Sequence, residues 1–208
     1  MLHEKLWKSN LDLTRSCLTH PFVEALRDGS LETGVFSGYV AQDAFFLQAF
    51  VKAYALAVAR SDEPAAMTDL HGLMGAALEE LVGLHGSYGE ELGIDLRGVN
   101  PNRACRAYTD FLLRTAWHAS LAEILAAMTP CMRLYAYLGA ELAPGCGERH
   151  PYRRWIETYS SKEMESMAGR MEALLDGVAT ETQEIQDCYR YAMQCELDFF
   201  SDAMEKGT

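Results

Sequence analysis

One thiol and two carboxylates stand in this chain where residues of their type could do chemistry. The apolar stretch Leu121 to Gly139, LAEILAAMTPCMRLYAYLG, carries Pro130 and Cys131 side by side in its middle. Its flanks have the period of one long helix, and a proline inside a helix removes a backbone donor and clashes with the preceding turn. A kink there would open backbone groups and set Cys131 at the start of a fresh helical turn, where the reactive thiolate is favoured. The same pair also reads as a buried thiol in a bent core helix.

Asp43, in YVAQDAFF, shares a helical face with Tyr39, Phe46, Leu47 and Phe50. An aspartate on such an apolar, aromatic stripe must be paired or hydrogen-bonded if buried. It is either a core group tied to a lysine, a tyrosine or the backbone, or a carboxylate that binds a polar ligand inside a bundle. Glu196, in CELDFF, repeats the pattern with Tyr189, Met193, Phe199 and Phe200 around it. It reads as a proton-transfer group or as half of a helix-face salt bridge. Tyr108, Tyr159 and Trp155 can fill a core or stack on a flat ring. Tyr135, four residues after Cys131, lies on the face of that thiol.

Other chemistries find less support. None of the six histidines follows a glutamate by three residues, the spacing of di-iron helical bundles. Glu80 and His85, five apart, suit one α-helical face poorly, so no metal site is expected. No C-x-x-C pair, phosphate loop, nucleophile elbow or dinucleotide fingerprint is present. A net charge of −12 repels phosphate backbones and anionic lipid, which speaks against nucleic acid and membranes as partners. The six cysteines, without zinc spacing, an apparent signal peptide or a membrane span, are expected to be reduced thiols in a cytoplasmic protein.

The elements that must hold these residues are helices. Strand signals are nearly absent, and apolar residues recur every three or four positions. Helices are expected over about 2–18, 21–28, 32–60, 64–92, from Asn100-Pro101 to about 120, from 121 to near Gly139 or Leu142, 150–161, 162–175 and 181–204. Glycines at 29 and 93 should end the second and fourth. With no repeat or linker, the expected fold class is an all-α multi-helix bundle, one domain over 1–208.

Four stretches together carry a family resemblance: HPFVEALRDGSL, YVAQDAFFL, LAEILAAMTPCMRLYAYLG and HPYRRWIETY, with the late glutamate of CELDFF as a weaker fifth. In this order they resemble the TenA family, also called thiaminase II, across essentially the whole chain. The resemblance implies a heme-oxygenase-like bundle, a homotetramer and no cofactor. It also implies hydrolysis at the aminopyrimidine half of thiamin or its breakdown products, yielding the hydroxymethyl-pyrimidine for thiamin salvage. Carried over residue by residue, it makes Cys131 the nucleophile, and Asp43 the holder of the pyrimidine amino group and a ring nitrogen. Glu196 becomes the proton carrier, and Tyr108 and Tyr159 the flanks of the ring, with Tyr135 beside them. Phe46 departs from the family, which often has a tyrosine there, and so removes a hydroxyl. Two rival functions remain: a cofactor- or metal-dependent oxidoreductase on the same bundle, and a non-catalytic pyrimidine-binding regulator.

Overall fold

The computed structural model describes residues 1–205, so the last three residues of the expected 1–208 span lie outside it. Among the described residues there are helices and no strands. By its internal packing the chain divides into two compact units, residues 1–31 with 125–201, and residues 32–124 with the stretch from 202.

The unit of residues 32–124 is organised by α4 (Thr33–Arg60), which packs on α5 (Pro64–Glu79) and on α7 (Arg103–His118). Thirteen of the 28 residues of α4 are buried, including Tyr39, Asp43, Phe46, Phe50 and Tyr54. Pro64 sits in the first turn of α5, where its missing N–H costs nothing. The single helix expected over 64–92 is three pieces. A π-helical turn, Glu80–His85, joins α5 to α6 (Gly86–Leu92), which ends on Gly93 at φ 67°. Helix α7 starts at Arg103, later than the Asn100-Pro101 start, because the Asn102 side chain accepts from the Cys105 N–H at 2.8 Å and caps it there.

The other unit holds α1 (Leu2–Ser9), α2 (Leu11–Leu18), α3 (Pro21–Asp28), most of α8 (Leu121–Leu142), α9 (Arg153–Tyr159), α10 (Lys162–Val178) and most of α11 (Gln183–Glu205). The single helix expected over 2–18 breaks at buried Asn10, whose amide donates to the Leu6 carbonyl at 2.8 Å. A side chain that bonds its own backbone competes with helix continuation. The two His-Pro motifs turn out to be the same device. The Nδ1 atoms of His20 and His150 accept the N–H of the residue two further on, Phe22 and Tyr152, both at 3.2 Å. Nε2 of His150 meets the Arg27 carbonyl at 3.0 Å, and Nε2 of His20 meets the Ser201 hydroxyl at 3.1 Å. The first motif caps α3; the second delays α9 to Arg153 rather than starting a helix at 150.

Helix α8 runs through Pro130 without a break. The expected fresh helical turn at Cys131 is therefore not there, and the thiol gains no helix N-terminus. Proline withholds a single N–H, that of residue 130, so the ladder resumes on either side. The Thr129 hydroxyl donates to the Leu125 carbonyl at 2.6 Å within the same stretch.

Candidate active site

Asp43 is brought to the interior of its unit by the aromatic face of α4, and its partner is a histidine. Nε2 of His85 lies 2.8 Å from Asp43 Oδ2, with both residues buried. Nδ1 of the same ring faces the Glu80 backbone carbonyl at 3.3 Å. Burial disfavours charge on His85, but the Asp43 bond, the Asp43 charge and Glu80 outweigh it and hold its pKa above the ordinary histidine value. One turn beyond Asp43, Phe46 stacks on Phe50 at 5.4 Å and meets the Tyr108 ring at 4.7 Å. Phe50 in turn makes an edge contact with Tyr54 at 5.0 Å. Asp43, Phe46 and Tyr108, three of the expected ring-binding residues, thus share one unit.

Asp43, Glu80 and His85 also form the cluster that could hold a cation, with one ligand atom from each inside a 4.8 Å group. Both ring nitrogens of His85 are turned to oxygen acceptors, however, and a metal needs a bare nitrogen lone pair. The ring is set as a hydrogen-bond donor in a buried ion pair.

Cys131, Tyr135, Tyr159 and Glu196 belong to the other unit. Cys131 is partly exposed, one turn before buried Tyr135 on α8. The Tyr135 ring lies 4.9 Å from Tyr159 and 5.9 Å from Trp155, and Trp155 lies 4.6 Å from Tyr159. Phe200 of α11 extends this cluster, 6.2 Å from Tyr135 and stacked on Phe22 at 5.4 Å. Glycine makes the arrangement possible: a Cβ on Gly139 would fall 2.3 Å from the Tyr159 carbonyl carbon. That approach sets the end of α9, and with it Tyr159, against α8. Glu196 is buried on α11. Two other thiols feel its charge. Burial first, then Glu196, pushes Cys195 up to about 12 and raises Cys17 as well, so both are inert thiols at neutral pH.

The family model described as TENA/THI-4/PQQC matches residues 7–206. The chain belongs to this family. It is 34% identical over 94% of its length to the bifunctional mitochondrial TH2 protein of Arabidopsis thaliana, of which it spans 36%. It is 32% identical to the aminopyrimidine aminohydrolase of Halalkalibacterium halodurans, over 76% of this chain and 72% of that protein. The crystal structure of a TenA family transcription regulator from Silicibacter superposes with a TM-score of 0.91 at 26% identity, covering 98% of this chain and 96% of that one. A Shewanella denitrificans domain with a heme oxygenase-like fold matches with a TM-score of 0.71 at 18% identity, covering 98% of this chain and 92% of that chain. The all-α, heme-oxygenase-like expectation for this TenA family member is thereby met.

His85 is the residue that sequence reasoning passed over. Five residues on an α-helix turn through about 500°, leaving Glu80 and His85 about 140° apart. In a π-helical turn the backbone bond runs from i to i+5, so the same spacing brings them together. Gly83 inside this turn and Gly86 just after it, in ELVGLHG, mark a weak helix locally, which is the one sequence signal available.

Proposed function

We propose that this chain is a hydrolase of thiamin-related aminopyrimidines, converting 4-amino-5-aminomethyl-2-methylpyrimidine to the hydroxymethyl-pyrimidine used in thiamin salvage. The observation that carries the reading is its kinship with the Halalkalibacterium halodurans aminopyrimidine aminohydrolase. In this mechanism Asp43 orients the ring through its amino group and a ring nitrogen, and the rings of Tyr108, Phe46, Tyr135 and Tyr159 supply flat apolar walls. Protonation or hydrogen bonding of a ring nitrogen makes the adjacent ring carbon electron-poor. The thiolate of Cys131 adds there, forming an S–C bond and pushing electrons into the ring. Those electrons expel the amine from the exocyclic methylene, and Glu196 gives the departing nitrogen its proton. Water then adds to the methylene, giving a proton back to Glu196, and the S–C bond breaks to release the alcohol. Splitting the displacement into addition and elimination replaces one high barrier by lower ones. No electron transfer is involved, so the chemistry calls for no cofactor. We place it in the cytoplasm as a homotetramer, in line with the family resemblance and with reduced thiols. Among the described residues no helix is long and apolar enough to cross a membrane.

The test is incubation of the purified protein with the aminomethyl-pyrimidine and, separately, with thiamin, followed by chromatography. Appearance of the hydroxymethyl-pyrimidine is expected, and consumption of neither compound refutes the reading. A metal-dependent oxidoreductase has one observation in its favour, the Asp43–Glu80–His85 cluster. Elemental analysis showing stoichiometric iron would shift the assignment to it.

A further inference from the structure

The buried pair in the unit of residues 32–124 has a hydrogen-bond pattern that fixes more than its own stability. A histidine nitrogen that faces a backbone carbonyl must carry its hydrogen, because the carbonyl only accepts. Nδ1 of His85 faces the Glu80 carbonyl, so Nδ1 is the protonated nitrogen there. Nε2 faces a carboxylate oxygen, so one further proton lies between Nε2 and Oδ2 of Asp43. The ring is thus clamped at both ends, one end by the backbone of its own turn and the other by the side chain across from it. The π-helical register makes the clamp: an α-helical register would turn His85 away from the Glu80 carbonyl. With 2% of its surface exposed, His85 is buried more deeply than Asp43 at 6%.

We propose that His85, seated by the π-helical turn Glu80–His85, is the positioning residue of Asp43: it engages Oδ2 so that Oδ1 is presented to the amino group of an aminopyrimidine. This rests on the aminopyrimidine reading above. A carboxylate on a long apolar helix face has two freely rotatable bonds and would otherwise sample several orientations. The charged groups that face the ring are Asp43 from α4 and Glu80 from the turn itself, both acidic, so the imidazole is the group that balances them. An aminopyrimidine amino group needs an acceptor at a fixed place. A carboxylate held at one oxygen by a rigid ring supplies it at low ordering cost.

Three substitutions separate this role from a structural one. In His85→Gln the side-chain nitrogen reaches the place of Nε2 and keeps the bond to Asp43. In His85→Asn it reaches only the place of Nδ1, and in His85→Leu no donor remains. Steady-state kinetics on the aminomethyl-pyrimidine and calorimetric titration with the hydroxymethyl-pyrimidine read the effect. For His85→Asn and His85→Leu, KM and the product Kd should rise about tenfold or more, as loss of a charge-assisted bond on the ligand-holding group implies. Their kcat should change less than about threefold, and His85→Gln should stay within about threefold of the wild type on every parameter. The proposal is overturned by an asparagine variant that binds as well as the wild type, by glutamine and asparagine variants equally impaired, or by a loss confined to kcat. Should the leucine variant not fold, the two polar variants decide alone. A wild-type protein that neither binds nor hydrolyses either pyrimidine overturns the functional reading itself, which is distinct from an active enzyme indifferent to residue 85.

Discussion

The two candidate regions, one in each unit, are built on opposite plans. Around Asp43 the polar groups are buried and tied to one another: Oδ2 of the carboxylate, the imidazole and the Glu80 carbonyl form one chain beside the aromatic face of α4. Around Cys131 the order is reversed. Cys131, the proposed nucleophile, is a partly exposed residue, and one turn along its helix begins a cluster of rings held by a glycine contact. One region is rigid through hydrogen bonds, the other through packing. A group that must bind a ligand in one orientation benefits from the first kind of rigidity. A nucleophile that must form and break a bond needs access, which the second kind leaves open.

The largest expected effect tests this division of labour directly. Cys131→Ser should lower kcat on the aminomethyl-pyrimidine by about 10³ or more, because an alkoxide is a far less accessible nucleophile than a thiolate. Its Kd for the hydroxymethyl-pyrimidine should stay within about threefold, because Cys131 is assigned to bond formation and the carboxylate and aromatic rings to holding the pyrimidine. A serine variant with full turnover removes Cys131 from the mechanism. Asp43→Ala should do the opposite, weakening the product complex strongly. It should also destabilise the fold by about 3–5 kcal/mol, since His85 is left buried without its charge partner. Thermal or urea unfolding measures the second effect, and a loss below about 1 kcal/mol would mean the ion pair contributes little.

Gly139→Ala probes the packing side. The new methyl would meet the backbone of Tyr159 and Ser160 at 2.3–2.5 Å, and backbone is not free to move aside as a side-chain tip is. Overpacking of this kind costs about 1–3 kcal/mol. The expected signature is a lowered Tm with a displaced Tyr159 ring, visible as a change in near-UV circular dichroism. An unchanged Tm would show that α9 can retreat from α8 without loss.

How far each region could be read from sequence follows from the same contrast. The helix faces carrying Asp43, Phe46, Tyr135 and Glu196 were legible because apolar spacing at three and four residues marks α-helical faces, and α4, α8 and α11 are α-helices throughout, whereas Tyr108 and Tyr159 were singled out by the family resemblance and not by spacing. His85 was illegible because the spacing rule assumes 3.6 residues per turn, and Glu80–His85 does not obey it. The break at Asn10 was missed for a related reason, since a buried amide that bonds the Leu6 carbonyl leaves the apolar period intact on both sides. Pro130 misled in the opposite direction: a residue that forbids one hydrogen bond suggested a break, yet twelve residues follow it in the same helix, from 131 to 142. The close approach at Gly139 depends on which helix lies opposite, and no local pattern carries that.

The region around Asp43 should also show itself in pH dependence. His85 has a folded pKa above its unfolded value, so its protonated form binds more tightly to the native state than to the unfolded chain. That contribution is fully present below the unfolded histidine pKa, about 6.5, and is lost as pH rises through the higher folded value. The stability gap between the wild type and His85→Gln, measured by urea unfolding, should therefore be widest in mildly acidic buffer and narrow as the pH rises. A gap that widens with pH would mean that the imidazole is neutral in the native protein.

The smallest expected effect concerns Phe46, the point at which this chain departs from the family pattern. Phe46→Tyr would add a hydroxyl to a ring that is 3% exposed, stacked on Phe50 and in tilted contact with Tyr108. A buried hydroxyl costs about 1–3 kcal/mol unless it finds a hydrogen-bond partner. For a chain of this size 1 kcal/mol corresponds to about 2–4 °C in Tm. If the aromatic packing around Phe46 is purely apolar, the variant should melt a few degrees lower with unchanged kinetics. If Tm holds and kcat/KM for thiamin rises relative to the aminomethyl-pyrimidine, the hydroxyl has met a polar group, and the region around Asp43 then contributes to substrate choice as well as to ring binding. The outcome separates a site that merely holds an aminopyrimidine from one that selects among them.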